Sequence, residues 1–435
     1  MKNIGWKRLG SNISNFCRKL KNFSLLLFAF VFPISLAGTN ILLGIALLCW
    51  ILEGDYGKKW EFLKQNKLIW IIYSIILLLL ISAFFSHSKM DGFAMSKGLA
   101  NSYIFIVKHF IWLSFLLPIL LTSDVNYKKL VGAFLLGVFF SEIVSYLVYF
   151  HIIDINYFKK LGLLSRAIRY HDPSPFMHHS FYSVFLAITI LFILEHITKF
   201  RNIFFKIISG LFLISATINL FINGGRVGQI AFIIGIVIYV IGKFKKWKTF
   251  LITTLILSGI LFSAYKYSPI FHSRVNLALS DIEKAKQGRF NTSWGQRIGL
   301  DIVASHLFFN FPYFFTGLGM GDAKKEFMEF AKEHYPKIWR AIRNQSHLHN
   351  QYFQLWSDGS IVAMVLILLY FIYLYKLAPS PLTLGVIAVF AFSFIADVFL
   401  YRPKTYVLFL FISAILIKEY SSNGRGTNSI GQDTS

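Results

Sequence analysis

Apolar runs with few charges recur along the whole chain, at residues 22–38, 40–52, 68–85, 103–122, 130–150, 179–196, 207–222, 228–242, 249–268, 360–376, 382–399 and 405–418. In lipid, a chain must satisfy its backbone polar groups internally, and a helix does so within one segment. The runs therefore predict an all-α polytopic membrane protein of about 12 transmembrane helices. The runs at 207–222 and 405–418 are short, and 22–38 with 40–52 reads as one hairpin around Pro33, Gly38 and Asn40. The first run is expected to be a span rather than a cleaved leader, because it starts far from the N-terminus and others follow closely. With 56% apolar and only 15% charged residues, the chain lacks the charged coat of a soluble enzyme, a disordered segment or a coiled coil.

Lys and Arg number 44 against 20 Asp and Glu, a net charge of +24. In a soluble protein that excess would point to nucleic acid. Here its position matters more. With the N-terminus placed in the cytoplasm, the inside segments hold 22 Lys and Arg and the short outside segments 9. Basic residues gather on the cytoplasmic side of membrane proteins, so much of the charge is an orientation signal. No nucleic-acid partner is expected, and both termini are expected in the cytoplasm.

Four regions follow. Residues 1–268 form an N-terminal transmembrane region of about nine spans. Residues 269–359 form a large helical loop on the outside. Residues 360–420 supply about three more spans, and 421–435 a disordered cytoplasmic tail. In the loop, Leu300, Val303, Ala304, Leu307 and Phe308 recur at helical spacing. Gly317, Gly319 and Gly321 break the pattern, Asp322 is a candidate N-cap for a helix reaching about His334, and Pro336 ends it. Cys17 and Cys49 lie outside this loop, so no disulfide framework or CxxC site is expected.

The densest polar cluster closes the loop: Asn344, Gln345, Ser346, His347, His349, Asn350 and Gln351, with Asp358-Gly359 beyond. A histidine there can take a proton near neutral pH, and an adjacent Asn can hold a hydroxyl or fix an imidazole. His347-x-His349 lacks a carboxylate at metal-ligand spacing, Asp358 being the nearest, so no metal is expected. No Asp-x-Asp pair is present to hold a sugar nucleotide through a divalent cation. Arg226, in Asn223-Gly224-Gly225-Arg226, follows a Gly-rich break at the outer face, where a guanidinium can grip a phosphate; the plainer reading is an interfacial Arg that snorkels. Arg297, in Trp294-Gly295-Gln296-Arg297, opens the amphipathic helix of the loop. Arg166 and Arg169 share another outside loop with His171, His178 and His179 and could meet an anionic head group. Inside the runs, Lys108 and Glu142 could pair, and Glu195 and Asp397 lie near span ends where they could reach water.

Together these stretches resemble the O-antigen ligase family, which includes O-antigen polymerases and bacterial protein O-oligosaccharyltransferases. The resemblance rests on Asn223-Gly224-Gly225-Arg226, Trp294-Gly295-Gln296-Arg297, Gly317-Leu318-Gly319-Met320-Gly321, His349-Asn350-Gln351-Tyr352 and Asp358-Gly359, in that order and on one side of the membrane. It implies a bacterial inner-membrane enzyme with a periplasmic site. This would move a glycan from an undecaprenyl-diphosphate carrier to a hydroxyl of lipid A–core, without metal, ATP or other cofactor and with inversion. A polymerase on the same carrier and a lipid-linked glycan transporter are the alternatives. The resemblance implies that Arg226 and Arg297 hold the donor diphosphate and that His349 is the base, with His347 the nearby alternative. Asn350 and Arg169 complete the expected substrate contacts. The stretch Asp172-Pro173-Ser174-Pro175-Phe176 departs from the family pattern.

The orientation is testable in a variant lacking Cys17 and Cys49. A cysteine replacing Lys286 is expected to react in intact cells with a maleimide that crosses only the outer membrane, and one replacing Lys199 only after lysis. The reverse labelling would invert the topology.

Overall fold

The computed structural model describes residues 2–88, 101–244 and 247–424. Expectations for Lys89 and Lys97, and for the tail from residue 425, lie outside the described residues. Among the described residues the secondary structure is helical, and the one β-type contact is an isolated bridge between Arg169 and Asp172. The chain is a multi-pass helical membrane protein. Among the described residues, eight helices are long and apolar enough to cross a bilayer: Lys67–Phe85, Ser102–Thr122, Tyr127–Tyr149, His179–Lys199, Ile203–Ile222, Arg226–Phe244, Gln351–Leu377 and Pro403–Ser422.

Up to ten spans result if two bent pairs each count as one. Leu36–Leu52 turns by 115° into Tyr56–Gln65, and Leu251–Tyr267 turns by 98° into Phe271–Lys286. Each bent pair contains one expected run, and the two further runs that bring the expected count to about twelve do not form long apolar helices of their own among the described residues. The run at 382–399 yields only the 16-residue helix Pro381–Ala396, and the apolar part of 22–38 is split between the end of Lys2–Val31 and the start of Leu36–Leu52. Lys108 and Glu142 do not pair. Lys108 is exposed, and the buried Glu142 accepts a hydrogen bond from Ser215 at 2.7 Å.

Glycines set how closely the helices around the site approach. Helices Arg226–Phe244 and Pro381–Ala396 cross at Gly235 and Gly385. A Cβ on Gly385 would lie 3.0 Å from the Gly235 carbonyl oxygen, and one on Gly235 would lie 2.5 Å from Val389. Small residues that let backbones touch are the usual means of packing helices in lipid, where no hydrophobic force drives them together. At its start, the same helix meets His179–His196: a Cβ on Gly225 would lie 2.5 Å from the His179 carbonyl oxygen. These crossings bring Arg226, His179 and the end of Pro381–Ala396 to one end of the bundle.

Helices Ser293–Phe308, Ala323–His334 and Pro336–Ile342 form a separate layer. Its core contains Leu300, Val303, Ala304, Leu307 and Phe308, the face that helical spacing selects. Asp322 stands at the expected N-cap of Ala323–His334, yet its carboxylate caps a different element. It accepts from the backbone N–H groups of His87 at 2.6 Å and Ser88 at 2.7 Å, just beyond helix Lys67–Phe85. Gly317 and Gly319 take φ values of 68° and 90°, which glycine adopts without penalty. Their turn lets Leu318 and Gly319 donate to the Ser357 carbonyl at 2.8 and 3.1 Å. Helix Gln351–Leu377 is kinked at Ser360, whose φ of 75° is strained for a residue with a Cβ.

Gly235→Leu is expected to destabilise the bundle by about 1–3 kcal/mol through overpacking. The measurement is thermal unfolding of the detergent-solubilised protein, in which Gly259→Leu, at a position open to added volume, should leave the melting temperature unchanged.

Candidate functional site

Arg226, Arg297, His347 and His349, spread over more than 120 residues of sequence, line one cavity of about 550 Å³ with His178, His179, Gln345, Asp397 and Arg402. The contributing segments are helix starts and ends from one side of the bundle. They are the start of His179–His196, the Gly-rich turn before Arg226–Phe244, the start of Ser293–Phe308, the strand-like approach to Gln351–Leu377, and the turn between Pro381–Ala396 and Pro403–Ser422.

Asp397 is the pivot. It is buried at the end of an apolar helix. His347 Nε2 lies 3.2 Å from its Oδ1, and His349 Nδ1 3.6 Å from the same oxygen. Burial alone would push the Asp397 carboxyl up, but the His347 and His349 contacts outweigh it and hold the group well below the usual carboxylate range. Burial pushes the His347 imidazole down to about 4, and the Asp397 hydrogen bond only partly offsets this. The two directions agree on one state, a carboxylate accepting from a neutral imidazole. With Nε2–H directed at Asp397, His347 Nδ1 accepts from Ser346 Oγ at 2.9 Å and faces Arg402 Nη2 at 3.3 Å. His347 is thus committed on both nitrogens.

His349 differs. Its φ of 54° is uncommon for a non-glycine residue. The conformation turns its ring onto that of His347, with centroids 4.0 Å apart. Its Nε2 lies 3.0 Å from Gln345 Oε1. Gln345 in turn donates to Gln296 Oε1 at 2.8 Å, and Gln296 donates to the Ala341 carbonyl at 3.0 Å. Because that chain ends on a carbonyl, which can only accept, Gln345 Oε1 is an acceptor and His349 Nε2 carries the proton. Nδ1 of His349 is buried against Asp397 with no hydrogen bond among the described residues.

Three guanidiniums line the same cavity. Nε of Arg297 and Nε of Arg402 are buried without an acceptor among the described residues. Buried donors in native proteins are nearly always paired, so unsatisfied ones on a cavity wall mark where an acceptor-rich ligand would sit. His347, His349 and Asp397 also offer ligand atoms within 4.8 Å of one another, a spacing that could hold a metal ion. With three arginines on the same cavity and Arg402 against His347, the electrostatics favour an anion over a divalent cation.

Two of the expected contacts lie elsewhere. Arg169 is exposed and off the cavity. Its backbone pairs with Asp172 in a tight turn of the 161–178 loop. Asn350 turns inward. Its side-chain oxygen caps helix Gln351–Leu377 through Tyr352 and Phe353 N–H, and its Nδ2 donates to Asp301 at 3.2 Å. Burial pushes the Asp301 carboxyl up to about 7. Asp358, the carboxylate nearest the histidines in sequence, is buried away from the cavity and accepts from Gln354 and Tyr401. Sequence reasoning missed Asp397 and Arg402 as site residues. The available signal was a short turn between two apolar runs carrying an Asp and an Arg five residues apart. Below the cavity, Ile234, Ile238, Met364, Leu368, Ala388 and Phe392 line an apolar groove of about 510 Å³ along the three helices that carry Arg226, His349 and Asp397 at their ends.

A family model described as O-antigen ligase matches residues 210–368, a segment that contains Arg226, Arg297, His347 and His349. No curated protein matches the chain.

The titrations of His347 and His178 predict acid lability. Burial, with neighbouring His179, pushes the His178 imidazole down to about 4, as burial does for His347. Unfolding frees both to take up protons near their ordinary value of 6.5. Their contribution to stability is therefore present above pH 6.5 and lost as pH falls to about 4. The melting temperature should fall across that window, and His347→Gln with His178→Gln should flatten the fall. An unchanged slope in the double variant would mean that neither histidine is held neutral.

Proposed function

We propose, on the premise that the chain carries an O-antigen ligase family segment across residues 210–368, that it transfers an O-antigen glycan from an undecaprenyl-diphosphate carrier to a hydroxyl of lipid A–core. The proposed setting is the periplasmic face of the bacterial inner membrane, and the proposed reaction needs no metal, nucleotide or other cofactor. The observation that carries this reading is the single cavity in which three guanidiniums, those of Arg297 and Arg402 with a buried Nε that has no acceptor among the described residues, adjoin a histidine–carboxylate pair.

The chemistry follows from those groups. The acceptor oxygen attacks the anomeric carbon as the carbon–oxygen bond to the carrier diphosphate breaks, which inverts that centre. Negative charge builds on the departing diphosphate, and Arg226, Arg297 and Arg402 are placed to stabilise it as fixed cations. The acceptor hydroxyl is a poor nucleophile until a base shares its proton. His349 is the better base of the two histidines, because His347 is occupied by Asp397, Ser346 and Arg402. In a carboxylate–imidazole pair the carboxylate holds the proton-bearing nitrogen and leaves the other as the base. In the resting arrangement His349 Nε2–H faces Gln345; once the acceptor displaces that amide, the tautomer with Nδ1–H toward Asp397 leaves Nε2 free to act as the base. The apolar groove below the cavity suits a polyprenyl tail and supports a lipid-borne donor.

The test is transfer by the purified protein supplied with carrier-linked glycan and lipid A–core, with chelator present and ATP absent. Arg226→Ala, Arg297→Ala and His349→Ala are each expected to lower the rate about a hundredfold or more. Full turnover by His349→Ala would remove it as the base. A polymerase would use the same donor chemistry on a second carrier-linked glycan. Cells lacking a ligase should accumulate carrier-linked polymer beside bare lipid A–core, whereas cells lacking a polymerase should cap the core with single repeats.

A further inference from the structure

A second carboxylate–imidazole pair borders the same cavity and has no part in the scheme above. Asp172 is buried, and its Oδ2 lies 2.5 Å from Nδ1 of His179. Its Oδ1 accepts from the backbone N–H of Gly224 at 3.0 Å and from Ser174 Oγ at 3.4 Å. One carboxylate therefore grips the Gly-rich turn that carries Arg226 and, with its other oxygen, orients an imidazole on the cavity wall. The close approach at Gly225, where a Cβ would lie 2.5 Å from the His179 carbonyl oxygen, keeps that imidazole next to the turn. His179 is about a quarter exposed at its side chain, 26%, and with Nδ1 held by Asp172 the nitrogen left for the cavity is Nε2.

We propose that His179, oriented by Asp172 through Nδ1, donates its Nε2–H to the carrier diphosphate beside Arg226. This rests on the carrier reading given above and adds a titratable donor to the three fixed guanidiniums. An imidazolium beside a buried carboxylate and a diphosphate gives charge-assisted hydrogen bonds on both ring nitrogens. The charged and titratable groups around the pair are His178 at the same helix start, Arg226 on the Gly-rich turn, and Asp397 and Arg402 on the 397–402 turn, with Arg297, His347 and His349 further along the cavity. Of the two adjacent histidines, whose ring centroids are 3.9 Å apart, His178 uses Nδ1 to cap Ser180 N–H and has no carboxylate bonded to it. Of the two, it is therefore His179 whose ring a carboxylate orients.

The measurement is equilibrium binding of carrier-linked glycan to the full-length protein in detergent, without acceptor, from roughly pH 6 to pH 9. A diphosphate diester stays fully ionised across that range, so any pH dependence belongs to the protein. Wild-type affinity should weaken as pH rises. His179→Ala should bind about tenfold more weakly at the acid end and lose most of the slope. His179→Arg should restore binding without pH dependence. Asp172→Asn keeps an acceptor for Gly224 N–H but removes the charge, and should shift the weakening to lower pH. A His179→Ala protein with wild-type affinity and slope overturns the proposal while leaving the carrier reading intact. Absence of binding by the wild-type protein overturns the carrier reading and this proposal with it.

Discussion

A carboxylate buried at the end of an apolar helix must be compensated locally, and the way Asp397 is compensated organises this end of the molecule. Two imidazoles from the segment before Gln351–Leu377 converge on one of its oxygens, and Arg402 from its own turn closes on the nearer imidazole. Leaving that charge without partners in a low-dielectric setting would be costly. The segment between residues 269 and 350 is therefore tied to the last two helices by electrostatics as well as packing. The cavity left between them is lined by three arginines, two of which carry an Nε that no group among the described residues accepts.

The glycine crossings give that arrangement its geometry. Gly235 against Gly385, and Gly225 against His179, set the heights at which three helices meet. Arg226 opens one of these helices, His179 begins another, and Asp397 follows the third. Because each span reverses direction, residues that are far apart in sequence reach the same end only when an even number of spans separates them, as two helices separate His179 from Arg226. A groove running beneath the cavity along the same helices would let a lipid-borne substrate keep its tail in an apolar environment while its charged head meets the arginines.

Much of this was legible in the sequence because lipid leaves a chain few options. The apolar runs announced the helices, and the helical spacing of Leu300, Val303, Ala304, Leu307 and Phe308 picked out the face that forms the outer layer's core. The number of spans was less legible, since the runs at 22–38 and 382–399 do not form long apolar helices of their own among the described residues. At the site, Arg226, Arg297, His347 and His349 stood out by local context, and they share one cavity. Asn350 stood out for the same reason but is used to cap a helix, a role that an Asn before an apolar run always makes available. Asp397 looked like a group reaching water, because nothing local indicates that two imidazoles nearly fifty residues earlier will cover it. The positive charge divides likewise: half of the Lys and Arg, 22 of 44, is the expected orientation signal, and three arginines, Arg226, Arg297 and Arg402, line the cavity.

The central claim is that this cavity receives the diphosphate of a lipid carrier, and a cryo-electron-microscopy map of the full-length protein with bound undecaprenyl diphosphate tests it most directly. The account predicts diphosphate density between Arg226, Arg297 and Arg402 with the tail leaving along the groove at Ile234 and Phe392. Density at the opposite end of the bundle, beside Lys199 and Glu419, with this cavity empty, would contradict it.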